Sequence, residues 1–463
     1  MKILTLLVGI ILFTNTTKAQ TQLYGMTRLG GANNLGTIFK TDANGANCTI
    51  LKDLVTTDGT QPQGALLQAS DGKLYGLTSA GGASFSYGTI FQFDPTTNNY
   101  TKKVNFNSTN GDGPKGSLIQ ATDGKLYGMT FYGGTNDLGV IFQYDPSTNA
   151  LVKKIDFSAT LGNSPAGSLI QATDGNMYGM TSVGGTNNLG VLFQYNPTTN
   201  AYTKKIDFSG TTNGSGPVGS LIQASDGKLY GMTKLGGANN SGIIFQYDPT
   251  TSVFIKKIDL TGSSGAAIGH WPTGSLIQAN DGKLYGVTGG YPILFQYDFV
   301  NNVYSYKVNL PPTPEGTLLQ ASNGNLYGTS IYGGTNGKGT IYQYNYSANT
   351  LTITTDFNTT TANFPSIALI ELSGSVKINE YEAQNDFKLF PNPTNGILNI
   401  NLSKFKQNNT SIIIINAIGQ VVFTERIVTE NSSFNINNLI AGVYFVNLID
   451  SKGNIAVKKI IKE

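Results

Sequence analysis

Along most of this chain, apolar residues come in short bursts, too brief for helices, separated at regular intervals by turn-forming residues. In one stretch, Ser117-Leu118-Ile119-Gln120-Ala121 is an apolar segment, Thr122-Asp123-Gly124-Lys125 a turn, and Leu126 to Thr130 a second apolar segment. A loop with Gly133-Gly134 and Asn136-Asp137 leads to Val140-Ile141-Phe142-Gln143-Tyr144. Asp145-Pro146-Ser147-Thr148-Asn149 then turns the chain into a fourth segment, Ala150 to Phe157. This pattern predicts a four-stranded antiparallel meander. Asp123-Gly124 reads as a two-residue type I′ hairpin that needs positive φ, and Pro146 pre-sets φ for the next turn. The strands are apolar on both faces, so each sheet needs cover on both sides.

The unit repeats. Leu-Tyr-Gly, or a close variant, recurs at Tyr24, Tyr75, Tyr127, Tyr178, Tyr230, Tyr285 and Tyr327, in steps of about 51 to 55 residues with a last step of about 42. Periods of this size belong to four-stranded propeller blades. One such sheet cannot offset roughly 1–2 kcal/mol of ordering entropy per residue, so the repeats must stack. A first-strand pattern precedes each turn at Leu66, Leu118, Leu169, Leu221, Leu276 and Leu318, with a weaker copy at Ile367-Ala368-Leu369-Ile370. The Asp-Gly or Asn-Gly turn occurs at Asp71, Asp123, Asp174, Asp226, Asp281 and Asn323, six times for seven Leu-Tyr-Gly strands. The missing one lies before Tyr24, so the strand at Ile367 is expected to complete the first blade and close the ring. The fold class is therefore all-β: a seven-bladed β-propeller of four-stranded antiparallel blades over 20–372, then a linker over 373–386 and a small Ig-like β-sandwich over 387–463.

The Gly-Gly after strand two, the tyrosine-rich third strand and the Asp-Pro-x-Thr-Asn turn resemble kelch-type propellers. Leu126 to Gly134 resembles the GloVer tandem repeats, whose pattern is Leu-Tyr-Gly-x-Thr-x-x-Gly-Gly. This resemblance covers about residues 21 to 372. The tryptophan common in kelch strand four is absent; Tyr100 and Tyr202 sit near its place.

After Leu372 the pattern changes. Pro391-Asn392-Pro393, Asn416-Ala417-Ile418-Gly419-Gln420, Leu439-Ile440-Ala441-Gly442-Val443-Tyr444 and Lys458-Lys459-Ile460-Ile461 resemble the sorting domain of type IX secretion cargo. The resemblance implies export across the outer membrane, removal of the domain, and release or surface attachment. Pro391, Asn392, Pro393, Gly419, Gly442, Lys458 and Lys459 would carry the signal to the secretion machinery. At the other end, Lys2, the apolar run Ile3 to Phe13 and Thr17-Lys18-Ala19 read as a signal peptide over 1–19, cleaved after Ala19. No segment reaches transmembrane length.

The net charge of +3 gives no field suited to nucleic acid. A single cysteine, Cys48, permits no internal disulfide and reads as a buried small hydrophobe. No Cys/His cluster points to a metal and no motif to a cofactor. The lysine pairs Lys102-Lys103, Lys153-Lys154, Lys204-Lys205 and Lys256-Lys257 on strand four read as protection of an exposed sheet edge. The repeated turn aspartates read as turn chemistry.

The longer loops, after strands two and four, are expected on the ring face opposite the tight turns. They carry Asn33-Asn34, Asn136, Asn187-Asn188, Asn239-Asn240, Asn336, Tyr87, Tyr132 and Tyr332. Amides and aromatics around a ring mouth suit carbohydrate. The sixth blade lacks most of this loop, leaving Gly289-Gly290-Tyr291-Pro292 as a notch beside the lone histidine, His270, and the lone tryptophan, Trp271. His270, Trp271, Tyr291, Tyr332, Tyr132, Asn239 and Asn240 are thus the candidate ligand-binding residues of a secreted monomer without a catalytic set. The function expected is glycan or protein binding, or scaffolding. The alternatives are a polysaccharide lyase or glycoside hydrolase built on a propeller, and a structural adhesion or surface-layer component.

Overall fold

The computed structural model describes residues 21–82, 87–358, 362–365, 368–372, 387–402, 410–416, 421–427, 429–449 and 455–463. The expected leader, the expected linker, Ile367 and Gly419 lie outside the described residues. The chain divides into two compact units, Met1–Gly374 and Ser375–Glu463.

Among its described residues the first unit holds seven antiparallel sheets, numbered here as blades 1 to 7 in chain order. Blade 3 is Ile119–Gln120, Leu126–Thr130, Val140–Asp145 and Ala150–Asp156, each strand paired to the next. Every residue of Leu126–Thr130 is buried, so neither face of the sheet meets water. The apolar clusters lie between blades. Tyr75 and Leu77 of blade 2 pack with Leu126, Phe142 and Tyr144 of blade 3. The same arrangement recurs until Tyr327 and Ile341 of blade 7 meet Leu23 and Phe39 of blade 1, and blade 1 meets blade 2 through Tyr24, Met26, Leu74 and Phe91. Each sheet is covered by two neighbours and the ring has no open face: a β-propeller.

The two ends of this unit pair with each other. Gln22, Leu23 and Tyr24 face Leu372, Glu371 and Ile370, and Thr27 and Leu29 face Pro365 and Asn363. The last strand therefore occupies the innermost place of the first blade, as the turn count predicted.

Three repeated contacts tie blade to blade near the axis. The Oε1 atoms of Gln120, Gln171, Gln223, Gln278 and Gln320 accept the N–H of Ser70, Thr122, Thr173, Ser225 and Asn280 of the preceding blade, at 2.8–2.9 Å. Glu371 of the closing strand stands where those glutamines stand and accepts from Ser322 N and Oγ of blade 7, at 2.8 and 2.7 Å. The Oγ of Ser117, Ser168, Ser220 and Ser275 accept the N–H of Ala65, Ser117, Ser168 and Ser220. Glycine lets these strands approach closely. A Cβ on Gly116, Gly167 or Gly219 would lie 2.2–2.4 Å from the carbonyl oxygen of Gly167, Gly219 or Gly274.

The Asp-Gly turn departs from the type I′ expectation. Only the glycine has positive φ, +78° at Gly124, and Asp123 does not. Gly124 N bonds Ala121 O, and Ala121 N bonds Lys125 O. This is a three-residue loop, a type I turn closed by a left-handed glycine. The aspartate acts through its side chain. Asp123 Oδ1 accepts Lys125 N at 3.0 Å, and Oδ2 accepts the Tyr127 hydroxyl at 2.8 Å. Gln143 Nε2 donates to the same hydroxyl at 2.5 Å. The Asp-to-Tyr bond recurs at Tyr75, Tyr178, Tyr230 and Tyr285, which explains both the invariant spacing of Asp and Tyr and why a phenol can be buried there. Where kelch strands carry tryptophan, Tyr100 and Tyr202 stack on Phe91 and Phe193 at 5.0 Å.

In the second unit the described residues form two sheets, one of Lys388–Phe390, Ile397–Asn401 and Asn431–Asn435, the other of Val421–Ile427, Thr410–Asn416, Gly442–Ile449 and Ile455–Lys462. Phe387, Leu398, Ile400, Ile412, Ile414, Phe434, Tyr444, Val446 and Ile460 fill the space between them. That is the expected small sandwich. Asn392 clasps the final strand, accepting Ile461 N at 2.9 Å and donating to Lys459 O at 3.0 Å. Lys458 donates to Phe387 O at 2.6 Å and lies over its ring, so it is half-buried in the fold, whereas Lys459 is exposed. Gly442 opens its strand opposite Lys462.

Two outcomes follow. Gly167→Ala should destabilise the ring by about 1–3 kcal/mol, because the new methyl meets backbone that cannot swing away; a denaturant melt measures it. Burial and nearby carboxylates push Tyr144 up to about 12, and burial with the Tyr285-side Asp281 does the same for Tyr344. A raised folded pKa gives stability that is complete below the unfolded value of about 10 and is lost as pH rises through about 12. Absorbance at 295 nm should therefore show exposed tyrosines ionising near pH 10 and the buried set ionising only with unfolding.

Candidate binding face

The two ends of the ring differ in what they leave available. At the tight-turn end the recurring lysine, aspartate and tyrosine side chains largely bond one another. Lys73 and Lys228 pair with Asp94 and Asp248 at 2.6 and 2.5 Å, and the Lys228 ammonium holds Asp248 down to about 2. On strand four, Lys153, Lys204 and Lys256 pair with Asp156, Asp207 and Asp259 at 2.8–2.9 Å. One lysine in three of the four pairs is thus neutralised, while in the first pair Lys102 donates to Thr57 O at 2.7 Å.

At the long-loop end, every inner strand after the first turn is entered through a residue with left-handed φ followed by proline. These residues are Gln61, Gly113, Ser164, Gly216, Trp271, Thr313 and Phe364, with φ of 53–59°. Backbone bonds on both sides hold them so. Their N–H groups reach the preceding blade's loop, as in Gln61 N to Leu35 O and Phe364 N to Lys338 O, at 3.0 and 2.9 Å. Their carbonyls accept from the end of strand two, as in Ile331 N to Thr313 O at 3.0 Å. Glycine suits this geometry; Thr313, Trp271 and Phe364 adopt it against their own steric preference.

Around this mouth, blades 7, 1 and 2 enclose a cavity of about 360 Å³ lined by Arg28, Leu29, Gln61, Thr313, Glu315, Ile331, Tyr332 and Phe364. Tyr332 is half exposed and meets the Phe364 ring edge-on at 5.3 Å. Among the described residues Glu315 forms no ion pair; burial raises its pKa against the opposing pull of Arg28 and Lys234. Burial and the Arg28 charge lower the pKa of Lys115, whose ammonium sits over the Phe131 ring at 3.2 Å. Four charged groups from blades 1, 3, 5 and 7 therefore feel one another across the axis.

The residues expected from sequence fall into four groups. Tyr332 lines the cavity. His270, Trp271 and Tyr291 come together in the sixth blade, where His270 pairs with Tyr291 across the sheet, and the His270 and Trp271 rings lie 4.6 Å apart. His270 Nδ1 is 3.0 Å from Ser241 Oγ, and Lys234 Nζ lies 5.5 Å from the Trp271 ring. Tyr132 stands apart in blade 3, 47% exposed, against Phe131. Asn239 and Asn240 serve the loop itself: Asn239 Nδ2 donates to Leu260 O and Asn240 Oδ1 accepts Gly236 N, both at 3.0 Å. Asn33, Asn136 and Asn187 make the Asn239 bond in their own blades. Sequence reasoning missed Arg28, Gln61, Thr313, Glu315 and Phe364. The signal was present in the repeats: the slot after Leu-Tyr-Gly-x-Thr reads Arg28, Ser79, Phe131, Ser182, Lys234, Gly289 and, after Ser330, Ile331, varying inside an otherwise constant frame.

The Gloeobacter/Verrucomicrobia repeat matches residues 13–173 and 156–298. The chain belongs to this repeat family. Residues 388–463 match the secretion system C-terminal sorting domain. That domain marks a type IX secretion cargo, so the protein is secreted or attached at the cell surface. No curated protein matches the chain in sequence. Among solved structures, a putative 6-phosphogluconolactonase from Bacteroides fragilis is similar with 17% identity and a TM-score of 0.53, over 77% of this chain and 99% of that one. Its counterpart from Bacteroides uniformis gives 15% identity and a TM-score of 0.52, over 76% and 99%. Both likenesses concern the fold alone. PorZ, a surface component of the type IX secretion system of Porphyromonas gingivalis, is 14% identical with a TM-score of 0.44, over 92% of this chain and 63% of PorZ. The chain thus spans less than two thirds of PorZ's length. No helix among the described residues is long and apolar enough to cross a membrane.

Proposed function

We propose that the propeller is a non-catalytic module that binds an extracellular glycan or protein through the long-loop end of the ring. The observation that carries this reading is the distribution of exposed aromatics. Tyr132, Trp271, Tyr291 and Tyr332 are 37–49% exposed, and all lie on strand ends or loops at that end. Rigid aromatic rings beside hydrogen-bonding side chains suit sugars and peptides alike. The opposite end carries the Asp-Tyr bonds and the Lys73–Asp94 and Lys228–Asp248 pairs, whose groups already have partners. Export to the cell exterior supplies the setting in which such ligands are met.

The enzymatic reading, a lyase or hydrolase, draws support from Glu315, a carboxyl with a raised pKa in a cleft. Hydrolysis of a glycosidic bond by paired carboxylates needs a second acid across the scissile bond. Glu315 is the one carboxylate among the residues that line its cavity. The binding reading therefore accounts for more of the face.

A glycan array and a protein pull-down with the full-length protein test it. Binding should appear in one of the two and fall at least about tenfold when Trp271 and Tyr332 are both changed to Ala, with melting unchanged. Clean negatives in both assays would remove the proposal.

A further inference from the structure

The seven blades offer a comparison within one molecule. Their backbones are alike at the ring mouth, yet the side chains there differ from sector to sector. Blade 4 presents Ser164, Ala166, Ser182 and Val183. The seam where blade 7 meets blades 1 and 2 presents Arg28, Gln61, Thr313, Glu315, Tyr332 and Phe364. Arg28 is the one arginine of the repeat region; the chain's other arginine is Arg426. We propose that this seam cavity binds a carboxylate-bearing sugar of an acidic polysaccharide, with Arg28 gripping the carboxylate and Tyr332 stacking on the sugar ring. The proposal rests on the reading of the long-loop end as a binding face.

Charge argues for an anion. Arg28, Lys115, Lys234 and Lys338, the last 5.7 Å from the Phe364 ring, bring four positive charges to the mouth against the carboxyls of Glu315 and Asp112. Arg28 and Lys115 repel each other there, and a bound carboxylate would relieve that repulsion. A guanidinium presents two parallel N–H donors that match the two oxygens of a carboxylate, which an ammonium cannot do.

Shape and remaining polarity argue for a sugar. The cavity of about 360 Å³ lies within the range of small-molecule sites. The Gln61 amide, the Thr313 hydroxyl and the Glu315 carboxyl can answer the several hydroxyls of a pyranose. Tyr332 is buttressed edge-on by Phe364, whose backbone is held in the left-handed region. Strain of that kind persists where the surroundings over-determine it, and sets the rings in place before any ligand arrives. An acidic peptide fits less well. One common way to hold an extended peptide is to add it as a strand to a free edge. Here the strand that carries Arg28 is paired on both sides, Thr27 with Thr37 and with Pro365.

Calorimetric titration of the full-length protein with tetragalacturonate, its methyl ester and tetraglutamate tests the assignment. The acid should bind at least about tenfold more tightly than the ester or the peptide. Arg28→Gln and Tyr332→Ala should each weaken it at least about tenfold, and Arg28→Lys by a substantial part of that. Tyr306→Ala, half-exposed on the outer strand Val303–Asn309 of the sixth blade and outside the binding face, should leave it unchanged. Thermal melts matching the parent protein establish that the variants are folded. Equal affinity for acid and ester, no uronate binding at all, preference for the peptide, or acid binding indifferent to a folded Arg28→Gln would each overturn the proposal. If uronate fails while the array or pull-down still reports binding that depends on Trp271, only this assignment falls. If those screens are empty too, the binding face falls with it.

Discussion

Every sheet of the repeat unit is apolar on both faces, and that one constraint governs the rest of the structure. The second strands, such as Leu126–Thr130 and Leu229–Thr233, are buried throughout. A sheet of this kind must be covered twice, by the blade before it and the blade after it. A linear stack would leave two faces bare. A ring leaves none, provided the last blade can reach the first. The chain achieves this by splitting blade 1 between its two ends, so the pairing of Leu23 with Glu371 and of Tyr24 with Ile370 completes the packing of the whole unit.

The inner ladders express the same constraint at closer range. Glutamine side chains of blades 3 to 7 pass hydrogen bonds to the blade before, and Glu371 continues the series at the closing seam. Glycines at the axis permit a backbone approach that a methyl group would forbid. This regularity is also what makes the irregular positions informative. A frame repeated with so little change leaves the mouth residues free to differ. Arg28, Glu315, Tyr332 and Phe364 collect at the seam, where two chain ends of different sequence meet.

Much of this is legible in the sequence. Period, strand order, the count of seven Leu-Tyr-Gly strands against six turns, and the return of the last strand to the first blade all follow from hydrophobic pattern and turn residues. So does the C-terminal sandwich, whose motifs gave both fold and destination. What pattern could not give was the use of individual polar groups. The Asp-Gly pattern points to positive φ at Asp123, whereas Gly124 takes that geometry alone and the aspartate accepts a tyrosine hydroxyl. Asn239 and Asn240 were read as ligand-facing because amides bind sugars; their amides bond their own loop. The cavity was missed because its walls come from residues as distant in sequence as Arg28 and Phe364, which only closure brings together.

That closure holds the whole repeat unit together. The most direct measurement is the thermal unfolding of a variant lacking residues 368–372, followed by tyrosine fluorescence and circular dichroism together. If the ends complete the ring, losing Leu369, Leu372 and the Glu371 bonds exposes the faces of blades 1 and 7, and the entire repeat unit should melt at a clearly lower temperature. An unchanged melting temperature would contradict it.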